Sequence, residues 1–244
     1  MAYYLCIDVG NSKTKIGVFR SGQQVFFDQV DAVTISILKN ILNRYEITHC
    51  IISQVKSIKT HIKKYLRRHC SLSEYSLDNK LPVKIKYKTP HTLGKDRLAA
   101  VIGASRLYPN VDLLVIGIGT CVTYDVLTAN RYYLGGSISP GLEMRLAAMH
   151  RFTARLPLVH VDFKQRLLGN STENALQSGA LWGLKSEMQG MIENYKKGYP
   201  GLKVVLTGGG GLYFRNRLKK PIFAHPNLVL LGLNEILSLN VFTN

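Results

Sequence analysis

Long apolar runs are missing from this sequence of 244 residues: none approaches the roughly 18 residues that a membrane-spanning helix needs, so no membrane association is expected. The opening MAYYLCIDVG lacks a basic segment and a cleavage site, which argues against a secretory signal and for a cytoplasmic protein. Cysteine is scarce as well. There are four, with no C-x-x-C pair; Cys6 and Cys121 fall in apolar runs, and Cys50 and Cys70 on a predicted strand and helix end. Such spacing excludes a disulfide framework and reads as small hydrophobes in a reducing compartment. His91, His150 and His160 show no metal-ligand spacing, and no Ser–His–Asp or Cys–His set is recoverable. The G-x-x-x-x-G-K-[ST] phosphate loop is absent too.

Acidic residues are also few. Fifteen Asp and Glu stand against 32 Lys and Arg, for a net charge of +17. That excess fits an anionic substrate, nucleic acid, or solubility alone. Its densest segment, Lys56–Arg68, places Ile58, Ile62 and Leu66 at four-residue spacing. The lysines and arginines therefore belong to the solvated face of an amphipathic helix. No aromatic residues interleave with them as a single-strand stacking platform would require, so no nucleic-acid partner is expected.

What remains is the composition of a globular protein, 46% hydrophobic and 19% charged, with an internal repeat. Tyr4–Ile16, YLCIDVGNSKTKI, slides onto Leu113–Asp125, LLVIGIGTCVTYD, by 109 positions. Gly10 then falls on Gly119, Asn11 on Thr120, Thr14 on Thr123 and Asp8 on Gly117. Each copy is an apolar strand, a Gly turn with a small polar residue, and a second strand. Strands are expected at Tyr3–Val9, Lys13–Phe19, Gln24–Asp28, His49–Ser53, Leu113–Ile118, Val122–Leu127, Arg131–Ile138 and Lys203–Leu206, with a further one at Leu228–Leu230. Helices are expected from Val33 to Tyr45, over the basic segment to His69, from Lys95 to Leu107, from Leu142 to His150, and from Asn170 or Ser171 to Gly198. In the last, Leu176, Ala180, Leu184, Met188, Met191 and Tyr195 form a stripe for a core or a dimer seam. Strands alternating with helices in both halves predict an α/β protein of two duplicated domains with mixed sheets facing a central cleft, divided at 1–109 and 110–244.

Four stretches have the makings of a site. Asp8-Val9-Gly10-Asn11-Ser12-Lys13-Thr14-Lys15 ends a strand on a carboxylate, which suits Mg²⁺, and continues with amides and lysines, which suit phosphate; a plain hairpin turn has the same pattern. Thr89–Arg97 uses a Pro turn and Gly94 to bring Lys95, Asp96 and Arg97 to a helix N-terminus. There Asp96 can take a proton from an alcohol while Arg97 holds an acidic group; alternatively Asp96 only complements the helix dipole. Gly119-Thr120 and Gly208–Gly211 are strand-end loops fit for a nucleotide, or simply tight turns.

Taken together, D-V-G-N-S-x-T-K at Asp8–Lys15, T-P-x-T-L-G-x-D-R at Thr89–Arg97, G-T-x-x-T-x-D at Gly119–Asp125, G-G-x-I-x-P-G at Gly135–Gly141, T-A-R-L-P at Thr153–Pro157 and T-G-G after a strand resemble type III pantothenate kinase, in order and over nearly the whole chain. The resemblance implies the acetate-kinase/Hsp70/actin class of fold, built from ribonuclease-H-like domains, and a homodimer. It also implies transfer of the ATP γ-phosphate to pantothenate, the first step toward coenzyme A. By the same resemblance, Asp8, Gly10, Asn11, Ser12, Lys13, Thr14 and Lys15 form the phosphate loop with Asp8 near Mg²⁺. Gly119, Thr120, Gly208 and Gly209 face ATP, and Asp96 is the general base. Tyr87, Gly94, Lys95, Asp96, Arg97 and Thr172 line the pantothenate site. The first domain then carries the phosphate loop and base, the second the nucleotide site and the dimer contact.

This chain departs from the family at two positions. Gly117 stands where the family has an Asp that holds a monovalent cation, K⁺ or NH₄⁺, and Gly210 stands where an Asp commonly follows T-G-G. A non-catalytic or weakly active homologue that binds nucleotide or a regulatory partner is therefore the alternative.

Overall fold

The computed structural model describes residues 2–242. By internal contacts the described chain forms two compact units: residues 2–110 with 130–134 and 227–242, and residues 111–129 with 135–226.

The first unit is built on a five-stranded sheet. Strands β1 (Tyr3–Val9), β2 (Thr14–Arg20) and β3 (Gln23–Val30) form an antiparallel meander. Helix α1 (Ile35–Arg44) then crosses to β4 (Ile47–Gln54), and α2 (Thr60–His69) to β5 (Ser71–Glu74), both parallel additions. The spatial order is β3-β2-β1-β4-β5. Its central strands read as near-continuous apolar runs because both faces are covered. Leu5, Ile7, Ile16, Val18, Cys50 and Ile52 are buried with Leu38 and Ile41 of α1 and Ile62 and Leu66 of α2. The basic residues of α2 lie on its outer side as expected, where Lys63 and Arg67 both pair with Glu74 at 2.7 and 3.2 Å. β5 was not expected from sequence: four residues of SLSE carry little apolar periodicity.

Helix α3 (Lys95–Leu107) belongs to the same unit and packs on the C-terminal helix α7 (Leu228–Val241). The two backbones meet at glycines. A Cβ on Gly103 would lie 2.1 Å from the carbonyl oxygen of Leu228, and one on Gly232 would lie 1.9 Å from that of Ala99. Leu228–Leu230, expected as a strand, therefore opens this helix instead; a short apolar run fits either state, and here its length and burial against α3 decide for helix. A short strand β6 (Lys84–Ile85) pairs in parallel with Tyr132 and Tyr133.

The second unit repeats the plan. Strands β7 (Leu113–Ile118), β8 (Cys121–Leu127) and β9 (Tyr132–Pro140, whose first residues pair with β6) are followed by α4 (Leu142–Arg151) and α5 (Thr172–Gly198). Then come β10 (Lys203–Thr207), a short α6 (Gly211–Arg215) and β11 (Ile222–Ala224), which is the strand expected at Leu228–Leu230. The order is β11-β10-β7-β8-β9, with β7–β8 antiparallel and β10 and β11 added in parallel. Strand for strand this is the arrangement of the first unit, so the duplication read from two Gly turns extends to two whole mixed sheets.

One detail of the repeat is corrected by the register. Asp8 pairs with Lys15, whereas Gly117 pairs with Thr123, so the second hairpin turn is one residue shorter. Thr123 is the counterpart of Lys15, not of Thr14. Helix α5 buries Leu176, Ala180, Leu184 and Met188 of the expected stripe, together with Leu181 and Ile192. It is tied to the sheet by Glu187, whose carboxylate accepts from Tyr124 at 2.8 Å, from Ser139 at 2.6 Å and from Arg145. All four cysteines are free thiols.

Candidate active site

Pleat alternation puts Asp8 of β1, Lys15 of β2 and Ser53 of β4 side by side, because Asp8 is the register partner of both others. Val9 and Thr14 pair one step further on and so point to the opposite side; Thr14 is 3% exposed. Burial and the charge of Asp96 push the Asp8 carboxyl up to about 6, against the opposing pull of Lys15 and a hydrogen bond from Ser53. Burial also lowers the pKa of the Lys15 ammonium, with Asp8 acting in the opposite sense. Two carboxylates from different elements, Asp8 and Asp96, thus converge beside a lysine. Ser53, 1% exposed, was missed from sequence; the only signal for it is its place at the end of a strand parallel to β1.

The turn after β1 is closed by a hydrogen bond from the Gly10 amide to the Lys13 carbonyl at 3.1 Å, leaving Asn11 and Ser12 exposed. The Lys13 ammonium pairs with Asp31, and Lys56 donates to the Asn11 carbonyl. A 3₁₀ turn, Pro90–Thr92, leads to Gly94, the N-cap of α3. Asp96 folds back over that residue, its Oδ1 lying 2.8 Å from where a Gly94 Cβ would stand. The Lys95 ammonium donates to the Tyr75 carbonyl at 2.8 Å, and Arg97 is buried. Tyr87 packs against Tyr133, ring centroids 6.1 Å apart.

In the second unit the counterpart row is Gly117, Thr123 and Thr207, again register partners across three strands. It holds hydroxyls but neither acid nor base. A Cβ on Gly117 would stand 2.8 Å from the Thr123 hydroxyl oxygen. The expected nucleotide residues gather here. Gly119 and Thr120 form the exposed turn, and the Thr120 carbonyl accepts from the Gly141 amide at 3.0 Å. Gly208, at φ +85°, lies so close to Ile118 that a Cβ would be 2.4 Å from its carbonyl oxygen, while Gly209 is open. A Cβ on Gly210 would meet the Ile118 side chain at 2.5 Å. Thr172 is exposed at the first turn of α5, which Ser171 caps by accepting from the Asn174 amide at 3.2 Å.

The residues fit a divalent cation arriving with a nucleotide: one carboxylate beside one hydroxyl suits Mg²⁺, which keeps several waters and takes its other ligands from phosphate. They do not fit a monovalent cation at Gly117, where the row offers no anionic ligand. Among the described residues no cluster of three or more His, Cys, Asp or Glu is placed to hold a metal, and no helix is long and apolar enough to cross a membrane.

Solved structures share this architecture. The chain overlays a conserved Baf family protein from Campylobacter jejuni with a TM-score of 0.59 at 19% identity, covering 98% of this chain and 99% of that one. A ROK hexokinase from Thermus thermophilus matches with a TM-score of 0.51 at 14% identity, over 98% and 99% of the two chains. The fold is thus one of two duplicated ribonuclease-H-like domains with mixed sheets, shared with these structures. Within that class, the family model for type III pantothenate kinase matches residues 4–194. A type III pantothenate kinase from Phocaeicola vulgatus is 43% identical over 97% of this chain and 98% of its own, and one from Christiangramia forsetii is 40% identical over 97% and 98%. The chain belongs to the type III pantothenate kinase family.

Proposed function

We propose that this protein transfers the γ-phosphoryl group of ATP to the primary hydroxyl of pantothenate, giving 4'-phosphopantothenate, the first step of coenzyme A biosynthesis. The observation that carries this reading is the full-length similarity to curated type III pantothenate kinases, at 36–43% identity. The pairing of Asp8 with Lys15 and Ser53 beside Asp96 supports it. Nothing in those similarities favours a non-catalytic homologue.

In this reading Lys15 and the amides of the Gly10–Thr14 turn hold phosphate oxygens. Asp8, supported by Ser53, would hold Mg²⁺, which when bound would supply positive charge to offset that developing on the transferred group. Asp96 accepts the proton of the attacking alcohol. Arg97, Tyr87, Gly94 and Lys95 form the pantothenate site, and Gly119, Thr120, Gly208 and Gly209 the nucleotide site. Lys95 acts through the backbone at Tyr75, since its ammonium is engaged there. Lys13 is paired with Asp31 and serves the turn. A cytoplasmic homodimer is the expected form, with the exposed side of α5 as its seam; residues 1–109 supply the phosphate loop and base and residues 110–244 the nucleotide site.

The test is ADP release from ATP and Mg²⁺ with and without pantothenate, for the parent and for Asp96→Asn. The parent should release ADP only with pantothenate. The folded variant should lose about 10²–10⁴-fold in rate, the usual span for a general base. An Asp96→Asn chain turning over at the parent rate removes Asp96 from the mechanism, and a parent indifferent to pantothenate removes the acceptor.

A further inference from the structure

Tyr75 follows β5 and is among the largest fully buried side chains of the first unit, at 2% exposure. Its backbone is held at both ends by site elements. The amide donates to the Ile52 carbonyl at 2.8 Å, one residue before Ser53, and the carbonyl accepts from Lys95 at 2.8 Å, one residue before Asp96. The hydroxyl, in contrast, has no hydrogen-bond partner among the described residues. A stranded buried donor is costly, and phenylalanine would fill the same volume without it. The hydroxyl therefore has no packing reason to be there.

Its surroundings supply a chemical one. Burial and the negative charge of Asp96 push the phenol well above its ordinary pKa, so Tyr75 stays a neutral O–H donor. Asp96 also acts on Asp8 of β1, which in turn faces Lys15 of β2, and the Lys95 ammonium is already spent on the Tyr75 carbonyl. Asp96 is exposed in the first turn of α3, and a proton acceptor in phosphoryl transfer has to be held in one orientation.

We propose that Tyr75 is a positioning residue for Asp96, its hydroxyl donating to one carboxylate oxygen when substrate is bound and so aiming the other at the acceptor alcohol. This rests on the kinase reading above. Tyr75 keeps its proton throughout; the alcohol proton goes to the second oxygen of Asp96 as the bond from the acceptor oxygen to phosphorus forms and the bond to ADP breaks.

The experiment is Tyr75→Phe in the full-length chain, with kcat, both KM values and the thermal midpoint measured against the parent. The expected result is a fall in kcat of roughly 10-fold or more, of the order that small misplacements of a reacting group cause. Both KM values should stay within about two-fold, and the midpoint should be unchanged or higher, because the stranded donor is gone. In an Asp96→Asn background the same substitution should cost less than about two-fold, since the carboxylate it serves is absent. An unchanged kcat, a loss that adds in full to that of Asp96→Asn, or a loss that comes with a lower midpoint and raised KM values would each overturn the role. A parent that releases no ADP with pantothenate sinks the kinase reading and this role together. An active parent with an unaffected Tyr75→Phe sinks only this role.

Discussion

At Asp8, burial outweighs the neighbouring positive charge. Its carboxyl is raised from 3.8 to about 6, first by burial and then by Asp96, more than Lys15 and Ser53 can offset. A carboxyl raised in the fold binds protons that the unfolded chain has already lost between those two values. Its contribution to stability is therefore fully present below about pH 4 and is lost as pH rises through about 6. At neutral pH the ionised group costs up to about 3 kcal/mol relative to its protonated form, at 1.36 kcal/mol for each pKa unit. Asp8→Asn should then raise the thermal midpoint of the ligand-free chain at pH 7.5, with the gap to the parent closing toward pH 4, while ADP release is lost. A variant less stable than its parent at pH 7.5 would show that Asp8 supports the fold instead of burdening it. Asp8, Lys15 and Asp96 were legible in the sequence because a strand-end acid, a Gly turn and a helix-opening acid are local patterns. Ser53 and Tyr75 were not. What brings them to the site is parallel pairing across intervening helices, and pairing of that kind leaves no mark on the residues themselves.

Among the elements, α3 matters most because it carries Asp96 and Arg97, and it is located by α7 from the far end of the chain. The contact is backbone against backbone at Gly103 and Gly232, where any side chain would collide with a carbonyl oxygen. A division of the chain at 109/110 puts residues 228–241 in the second half, for sequence gives proximity along the chain and not the partner of an apolar helix. A glycine within a helix lowers its propensity, but Gly103 and Gly232 are points of closest approach. Gly232→Ala should destabilise the protein by about 3 kcal/mol, at the upper end of overpacking costs. It should also lower kcat, since α3 has to move outward to admit the methyl group. Denaturant unfolding together with ADP release checks both. Parent-like stability would mean that the two helices can separate freely, and that α7 does not set the position of α3.

At the scale of the whole chain, the same strand plan was used twice and the two copies were given different chemistry. One row across three strands is Asp8, Lys15 and Ser53; its counterpart is Gly117, Thr123 and Thr207. The repeat was visible in sequence through its glycines, but its register was not, because a turn shortened by one residue shifts every later pair. The consequence lies at Gly117. Two hydroxyls and backbone carbonyls offer a monovalent cation no anionic ligand, and the carboxylate expected from the family is missing. Parent turnover and thermal midpoint should therefore differ little between K⁺ and a bulky organic cation at equal ionic strength. In Gly117→Asp, the new Cβ falls 2.8 Å from the Thr123 hydroxyl oxygen, so the Thr123 side chain has to shift. The added carboxylate would then sit among hydroxyls with no lysine beside it, unlike Asp8, and would need a cation from solution. That variant should be less stable than the parent without K⁺, recover its midpoint as K⁺ is added, and show K⁺-dependent turnover. Two results would refute this account: strong K⁺ activation of the parent, which would require a cation site built without Gly117, or a Gly117→Asp midpoint indifferent to K⁺, which would mean that the new carboxylate finds its counter-charge within the protein.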